Sequence, residues 1–182
     1  IDIGGTETYW KILPRSLLIN NKVTITSVNL PGTPTPPDDA IFKYVEGDGC
    51  RLSQYQDNEF HIAHSNSVIE HVGDWTRMQQ FAAEIRRLAG KYFVQTPYFW
   101  FFIEPHFMTP FFHWLPRPMK AGLLMRFNLG NHRRAPDVSH AVLAVDSARL
   151  LDKKMMHSLF PDARLAFEKF FLLKKSMIAI RH

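Results

Sequence analysis

The hydrophobic positions change period along the chain, and each change marks an element. Ile1 to Ile3 reads as the end of a strand. Val23 to Leu30 is rich in β-branched residues and predicts a second strand; Phe42 to Val45 predicts a third, ended by Gly47-Asp48-Gly49. Phe60 to Ser65 predicts a fourth. Asp74 then offers an N-cap, and Trp75, Met78, Phe81, Ala82, Ile85 and Leu88 follow at helical spacing until Gly90. Tyr92 to Thr96 predicts a fifth strand, stopped by Pro97. Beyond it the pattern reads as short helices broken by Pro110, Pro116 and Pro118, as far as Pro136. Asp137 and Asp152 each suit a further N-cap, the second helix ending at Pro161. Arg164 to Phe171 and Lys175 to Ile180 close the chain as two strands. The proline-rich stretch Pro31 to Pro37 is excluded as a central strand.

Strands alternating with helices predict an α/β fold with a mostly parallel sheet. The short link between the last two strands forces them to pair antiparallel. At 182 residues the chain is expected to be one domain, residues 1–182, with an insertion at about 97–136. It opens on Ile1, so it reads as trimmed at its N-terminus. One cysteine, Cys50, excludes a disulfide framework and a multi-cysteine zinc site, and suggests a reducing, cytoplasmic setting. The longest charge-free aromatic run, Tyr92 to Ile103, has 12 residues against the ~20 of a membrane span.

Charge and aromatic residues concentrate in the same place. Eleven of 24 aromatic residues lie between Tyr92 and Trp114. Pro105 to Pro136 holds no acid and five bases, Arg117, Lys120, Arg126, Arg133 and Arg134, which equal the net charge of +5. Packing accounts for most of these aromatics. A roof over an apolar acceptor pocket, or a membrane-surface contact, is the functional alternative. No nucleic-acid-binding motif accompanies the bases, so nucleic acid is not expected.

The candidate chemistry sits where strands end. Gly4 and Gly5 directly follow the first strand, where ligands meet an open α/β sheet; Asp2 precedes them. The third glycine of a dinucleotide fingerprint is missing, which counts against a nicotinamide cofactor. Asn29 stands at the end of the second strand, where nucleotide-binding folds usually place an acid. Asp48 and Gly49 end the third strand, and Asp48 suits an exocyclic amine. Ser65-Asn66-Ser67-Val68-Ile69-Glu70-His71-Val72 follows the fourth strand. There His71 is the residue suited to act as a base near neutral pH. His61 and His64, three apart on a strand, would point to opposite faces, and the nine histidines show no metal-ligand spacing, so no metal is expected.

In this order, Asp2-Ile3-Gly4-Gly5, Gly47-Asp48-Gly49 and Ser65 to Val72 resemble a class I S-adenosylmethionine-dependent methyltransferase of the small-molecule, type 11-like kind. Leu159-Phe160-Pro161-Asp162-Ala163 and Lys175-Ser176-Met177-Ile178-Ala179 resemble that family's last helix and terminal hairpin. The resemblance implies a Rossmann-like seven-stranded sheet, S-adenosylmethionine as cofactor and methyl transfer to a small acceptor. It implies that Gly4 and Gly5 lie against the methionine part, Asn29 by the ribose, and Asp48 and Gly49 by the adenine. Ser65, Asn66 and Glu70 would line the cofactor and acceptor mouth. Three positions depart from the pattern: the short glycine loop before Thr6-Glu7-Thr8, Asn29 in place of the ribose acid, and His61 in place of an Asp. A non-catalytic binding or regulatory protein on the same fold is the alternative that these departures raise.

Overall fold

The computed structural model describes residues 1–182. Its main sheet has seven strands: β1 (Asp2–Ile3), β2 (Ile25–Asn29), β3 (Phe42–Glu46), β4 (Ala63–Asn66), β5 (Tyr92–Pro97), and, after a small hairpin β6 (Ile103–Glu104) and β7 (Thr109–Pro110), β8 (Arg164–Phe170) and β9 (Leu173–Arg181). The order is β3-β2-β1-β4-β5-β9-β8. The first five strands run parallel, β9 runs antiparallel to β5, and β8 to β9. This is the sheet the sequence pattern implies, including the terminal hairpin. Strand order reverses between β1 and β4, which makes that edge a topological switch point.

Burial explains the strand patterns. β5 alternates strictly, with Tyr92, Val94 and Thr96 buried and the residues between them half-buried. The helix α3 (Trp75–Leu88) turns Met78, Phe81, Ala82, Ile85 and Leu88 into the core, and Asp74 caps it by accepting from the Arg77 amide. These side chains join Ile3, Val28, Leu52 and Tyr92 in one core cluster. Two further helices are capped as their sequences imply. Asp137 accepts from the His140 amide at the start of α5 (Val138–Asp146), and Asp152 from the Met155 amide at the start of α6 (Lys153–Leu159).

Several expectations need correction. Two short helices, α1 (Glu7–Trp10) and α2 (Arg15–Asn20), fill the β1–β2 connection, where periodicity gave no signal. α3 ends at an extended Ala89 rather than at a left-handed Gly90. β4 starts at Ala63, so His61 lies in an exposed bend ahead of the strand and shares no strand face with the buried His64. The insertion is not a run of proline-broken helices. It holds the β6–β7 hairpin, a single 3-10 turn at Phe112–Trp114 and α4 (Arg117–Leu124), with Pro118 accommodated in the helix's first turn. Pro is tolerated there because its missing N–H would have no intrahelical partner. The insertion builds its own small core from Phe107, Phe112, Ala121 and Leu124, joined by Ala141 and Val145 of α5.

Ile85 is fully buried between α3 and the sheet and touches no cleft. Ile85→Ala should cost about 2–5 kcal/mol. For a chain of this length that lowers the melting temperature by roughly 4–20 °C. Thermal unfolding checks it, and a drop of less than about 2 °C contradicts the core assignment.

Candidate functional site

The carboxyl ends of β1 to β4 open on a cleft of about 220 Å³, floored by Ile3, Val28 and Phe81 and walled by Val68 and Val72. Glycine is required at two points of its rim. Gly4 has φ of +74°, and a Cβ there would lie 2.5 Å from a Val68 methyl. A Cβ on Gly49 would lie 2.6 Å from Ile3. At both places the missing Cβ leaves room for the chain's own side chains, Val68 against Gly4 and Ile3 with Phe81 against Gly49.

Gly4, Asn29, Asp48, Gly49 and His71 all line this cleft. The remaining sequence candidates do not. Asp2 is fully buried beneath the loop, accepting from Trp10 Nε1 at 2.7 Å and from His64 Nδ1 at 2.7 Å. Gly5 sits on that carboxylate so closely that a Cβ would fall 1.7 Å from its Oδ2. Ser65 is fully buried and donates to the Ile3 carbonyl at 3.0 Å. Asn66 ends β4 outside the lining of the cleft. Glu70, 1% exposed, faces neither cleft nor solvent; its Oε2 accepts from Thr96 Oγ1 at 2.9 Å. Asp2, Gly5, Ser65 and Glu70 thus support the edge from behind.

Asn29 has a structural reason for being an amide. Its Nδ2 donates to the Gly5 carbonyl at 3.0 Å and to Ser27 Oγ at 3.2 Å, while Ser27 Oγ donates to the same carbonyl at 2.9 Å. A carboxylate at position 29 would meet that carbonyl oxygen with no proton between them. Asn29 Oδ1 makes no bond within the chain. Asp48 is paired: Arg77 Nη2 donates to its Oδ1 at 2.8 Å and its Oδ2 at 2.7 Å, and the Cys50 amide donates to Oδ1 at 3.0 Å. Burial pushes the Asp48 carboxyl up, but the Arg77 and Cys50 bonds outweigh it and hold the pKa below its ordinary value. With two acceptor positions per oxygen, Oδ2 keeps one free. Cys50 itself is buried, and that burial pushes its thiol up to about 11, so it is an inert packed residue.

A second cavity, about 390 Å³, lies between the insertion and α5, against Phe99, Glu104, Phe107, Lys120, Val145 and Arg149. A histidine pair stands at the edge of the first cleft, which His71 lines. His71 Nδ1–H donates to the Ser147 carbonyl at 2.8 Å. His106 Nδ1–H donates to Glu104 Oε1 at 2.6 Å, and the other Glu104 oxygen accepts from the Phe107 amide. The two Nε2 atoms face each other at 3.0 Å. Burial lowers the His106 pKa, but the bond and charge of Glu104, with Glu70 nearby, carry it above its ordinary value. Burial pushes Glu70 up. Sequence reading missed Arg77, Glu104 and His106. Arg77 follows its N-cap by three residues and reads as an ordinary solvated helix position. Glu104 and His106 are hidden inside a stretch notable for aromatic residues.

Residues 21–91, spanning β2 to α3 and thus three of the four strands around the cleft, match a methyltransferase domain family. No curated protein matches the sequence. Solved structures align over nearly the whole chain. A protein described as a SAM-dependent methyltransferase from Methanosarcina mazei shares 14% identity, with a TM-score of 0.53 over 99% of this chain and 90% of that one. An O-methyltransferase family protein from Burkholderia thailandensis shares 11%, with a TM-score of 0.56 over 99% and 49%. LepI, in complex with SAM, shares 8%, with a TM-score of 0.53 over 99% and 41%. The chain therefore spans about two-fifths of LepI and half of the Burkholderia protein, and the likeness is one of fold.

Asn29→Asp should not restore a missing ribose acid. Setting a carboxylate against the Gly5 carbonyl and losing its donor should cost about 1–3 kcal/mol. Thermal unfolding should record a fall of roughly 2–12 °C; an unchanged or raised midpoint contradicts the arrangement. Strand order and terminal hairpin match the fold of these structures, and residues 21–91 carry the match to the methyltransferase domain family.

Proposed function

We propose that the chain binds S-adenosylmethionine in the β1–β4 cleft and transfers its methyl group to a small molecule held in the cavity beside the insertion. The observation carrying this reading is the union of three features in one cleft: glycines at Gly4 and Gly49 on its rim, an apolar floor, and two acceptor positions left open, at Asn29 Oδ1 and on Asp48 Oδ2 beside its Arg77 bond. An adenosine fits those acceptors, with its ring on Ile3 and Phe81, a ribose hydroxyl donating to Asn29 and the exocyclic amine donating to Asp48. The enclosed volume is below the roughly 300 Å³ at which ligand pockets usually begin. The cofactor would accordingly extend past the cleft toward His71.

The bound sulfonium supplies an activated methyl group. This chain's task is to align an acceptor with it and to exclude water. For a hydroxyl acceptor, the Nε2 atoms of the His71–His106 pair, whose Nδ1 atoms are committed elsewhere, would take the proton released on methylation. The acceptor cavity is less apolar than the aromatic sequence suggests. Lys120 and Arg149 point charges at it without an ion-pair partner, whereas Arg117 is paired with Asp146. An acceptor carrying a hydroxyl and an anionic group suits that lining.

A thermal shift with S-adenosylmethionine and S-adenosylhomocysteine, with NAD as control, tests the cofactor. At about 100 times the dissociation constant either ligand should add roughly 2.7 kcal/mol to stability. A shift with NAD alone overturns the reading. His71→Ala should lower turnover by about 10²–10⁴-fold while leaving the cofactor shift in place. Unchanged turnover removes the proton-accepting role but not methyl transfer.

A membrane-surface role is favoured by a different observation from the one in the sequence. Tyr92 and Val94 are buried in β5 and cannot reach a bilayer. The β8–β9 hairpin, however, ends in Phe170-Phe171-Leu172-Leu173, with Phe171 87% and Leu172 91% exposed. Lys169 and Lys174 flank this tip, and Trp100 and Trp114 are exposed beside it. Apolar tips rimmed by lysines suit an anionic lipid interface. No helix of the chain is long and apolar enough to cross a membrane. The chain should float with anionic liposomes at low salt, and the double substitution Phe171→Ser, Leu172→Ser should weaken this at least tenfold, since each buried side chain contributes about 1.5–3 kcal/mol. Equal flotation of the two proteins rules the hairpin out.

A further inference from the structure

His71 and His106 meet in a way that needs an explanation beyond packing. Each Nδ1 is committed as a donor, to the Ser147 carbonyl and to the Glu104 carboxylate. In their neutral forms both rings then present an Nε2 lone pair, and the two nitrogens lie 3.0 Å apart. Neither nitrogen can donate to the other without giving up its Nδ1 bond or taking up an extra proton. A cation between them resolves the conflict. A third group stands ready: a Glu70 carboxylate oxygen completes a set of ligand atoms that all lie within 4.8 Å of one another. Glu70 Oε1 is buried with no hydrogen-bond partner.

From this geometry we infer that Glu70, His71 and His106 form a binding site for a divalent first-row transition metal ion. Two imidazoles and one carboxylate select such an ion over magnesium or calcium, which prefer all-oxygen shells. Nitrogens 3.0 Å apart subtend roughly 95° at an ion bonded at about 2.0–2.1 Å, close to the angle between neighbouring ligands on one face of an octahedron. The surrounding contacts are those of a built site. Glu104 orients His106 and the Ser147 carbonyl orients His71, as carboxylates and carbonyls do behind metal-bound histidines. Three protein ligands leave coordination positions open, and His71 sets the site at the edge of the β1–β4 cleft.

The inference does not depend on methyl transfer. With the ion bound, the His71 and His106 lone pairs are spent on it, and the proton-accepting role given above belongs to the metal-free chain. An acceptor oxygen reaching the ion would be acidified by its charge instead. The sequence hid this site because its ligands come from the β4–α3 connection and from the insertion, 35 residues apart.

Isothermal titration of the metal-stripped full chain with Zn²⁺, and separately with Co²⁺, tests it. One equivalent should bind, and the Co²⁺ form should show hyperfine-shifted Nδ1 protons from two histidines. His106→Gln should abolish both signals. Glu104→Gln, which keeps every ligand, should weaken binding by about 10–100-fold. His61→Ala, in an exposed bend, should bind as wild type. No binding by the wild-type chain, or full binding by a folded His106→Gln variant, overturns the site; if that variant fails to fold, undiminished binding by Glu104→Gln does so. The S-adenosylhomocysteine shift repeated with chelator reads the cofactor cleft separately, so either proposal can fail without the other.

Discussion

The ligand-facing edge depends on a carboxylate that meets no ligand. Asp2 lies fully buried at the start of β1, and its two oxygens are spent on Trp10 of α1 and His64 of β4. An unpaired carboxylate in that position would cost several kcal/mol, so the two donors are a condition of the fold. Gly5 packs directly on this group because no Cβ fits above it. The Gly5 carbonyl is thereby fixed opposite Ser27 and Asn29, and accepting from both side chains turns Asn29 so that Oδ1 remains unused. One buried charge thus sets the loop, the loop sets the amide, and the amide shapes the cleft.

The same economy of polar groups runs across the central strands. Ser27, Ser65 and Thr96 are buried, and each hydroxyl donates to a group at the carboxyl edge: the Gly5 carbonyl, the Ile3 carbonyl and Glu70. Buried polar groups are tolerable only when bonded, so this row holds the strand ends in register. Beyond it, the insertion carries Glu104 and His106 to His71 on a small core of its own. The sheet therefore supplies the cleft, and the insertion supplies the second cavity and half of the histidine pair.

Much of the fold was legible because its signals are local. The alternation of β5, the Asp74 cap with its apolar stripe, and the short link between β8 and β9 each act over a few residues and survive folding unchanged. The short helices α1 and α2 were not legible; at four and six residues they are set by contacts rather than by a repeat. In the site, Gly4, Asn29, Asp48, Gly49 and His71 were found because strand ends face the cleft. Asp2, Ser65 and Glu70 lie at the same ends but point inward, a distinction that depends on which side each residue presents. Arg77 and His106 escaped because their partners, Asp48 and His71, are 29 and 35 residues away. The exposed apolar tip at Phe171 and Leu172 reads in sequence as the continuation of a strand, and the hairpin turn places it in solvent.

The most direct test is a crystal structure of the chain with S-adenosylhomocysteine. The nucleoside should lie on Ile3 and Phe81, with a ribose hydroxyl within hydrogen-bond reach of Asn29 Oδ1 and the exocyclic amine within reach of Asp48 Oδ2. The amino-acid end should pass Gly4 toward His71. A ligand seated instead in the cavity between Phe99 and Arg149, or a β1–β4 cleft left empty at saturating ligand, would contradict the reading of this edge as the cofactor site.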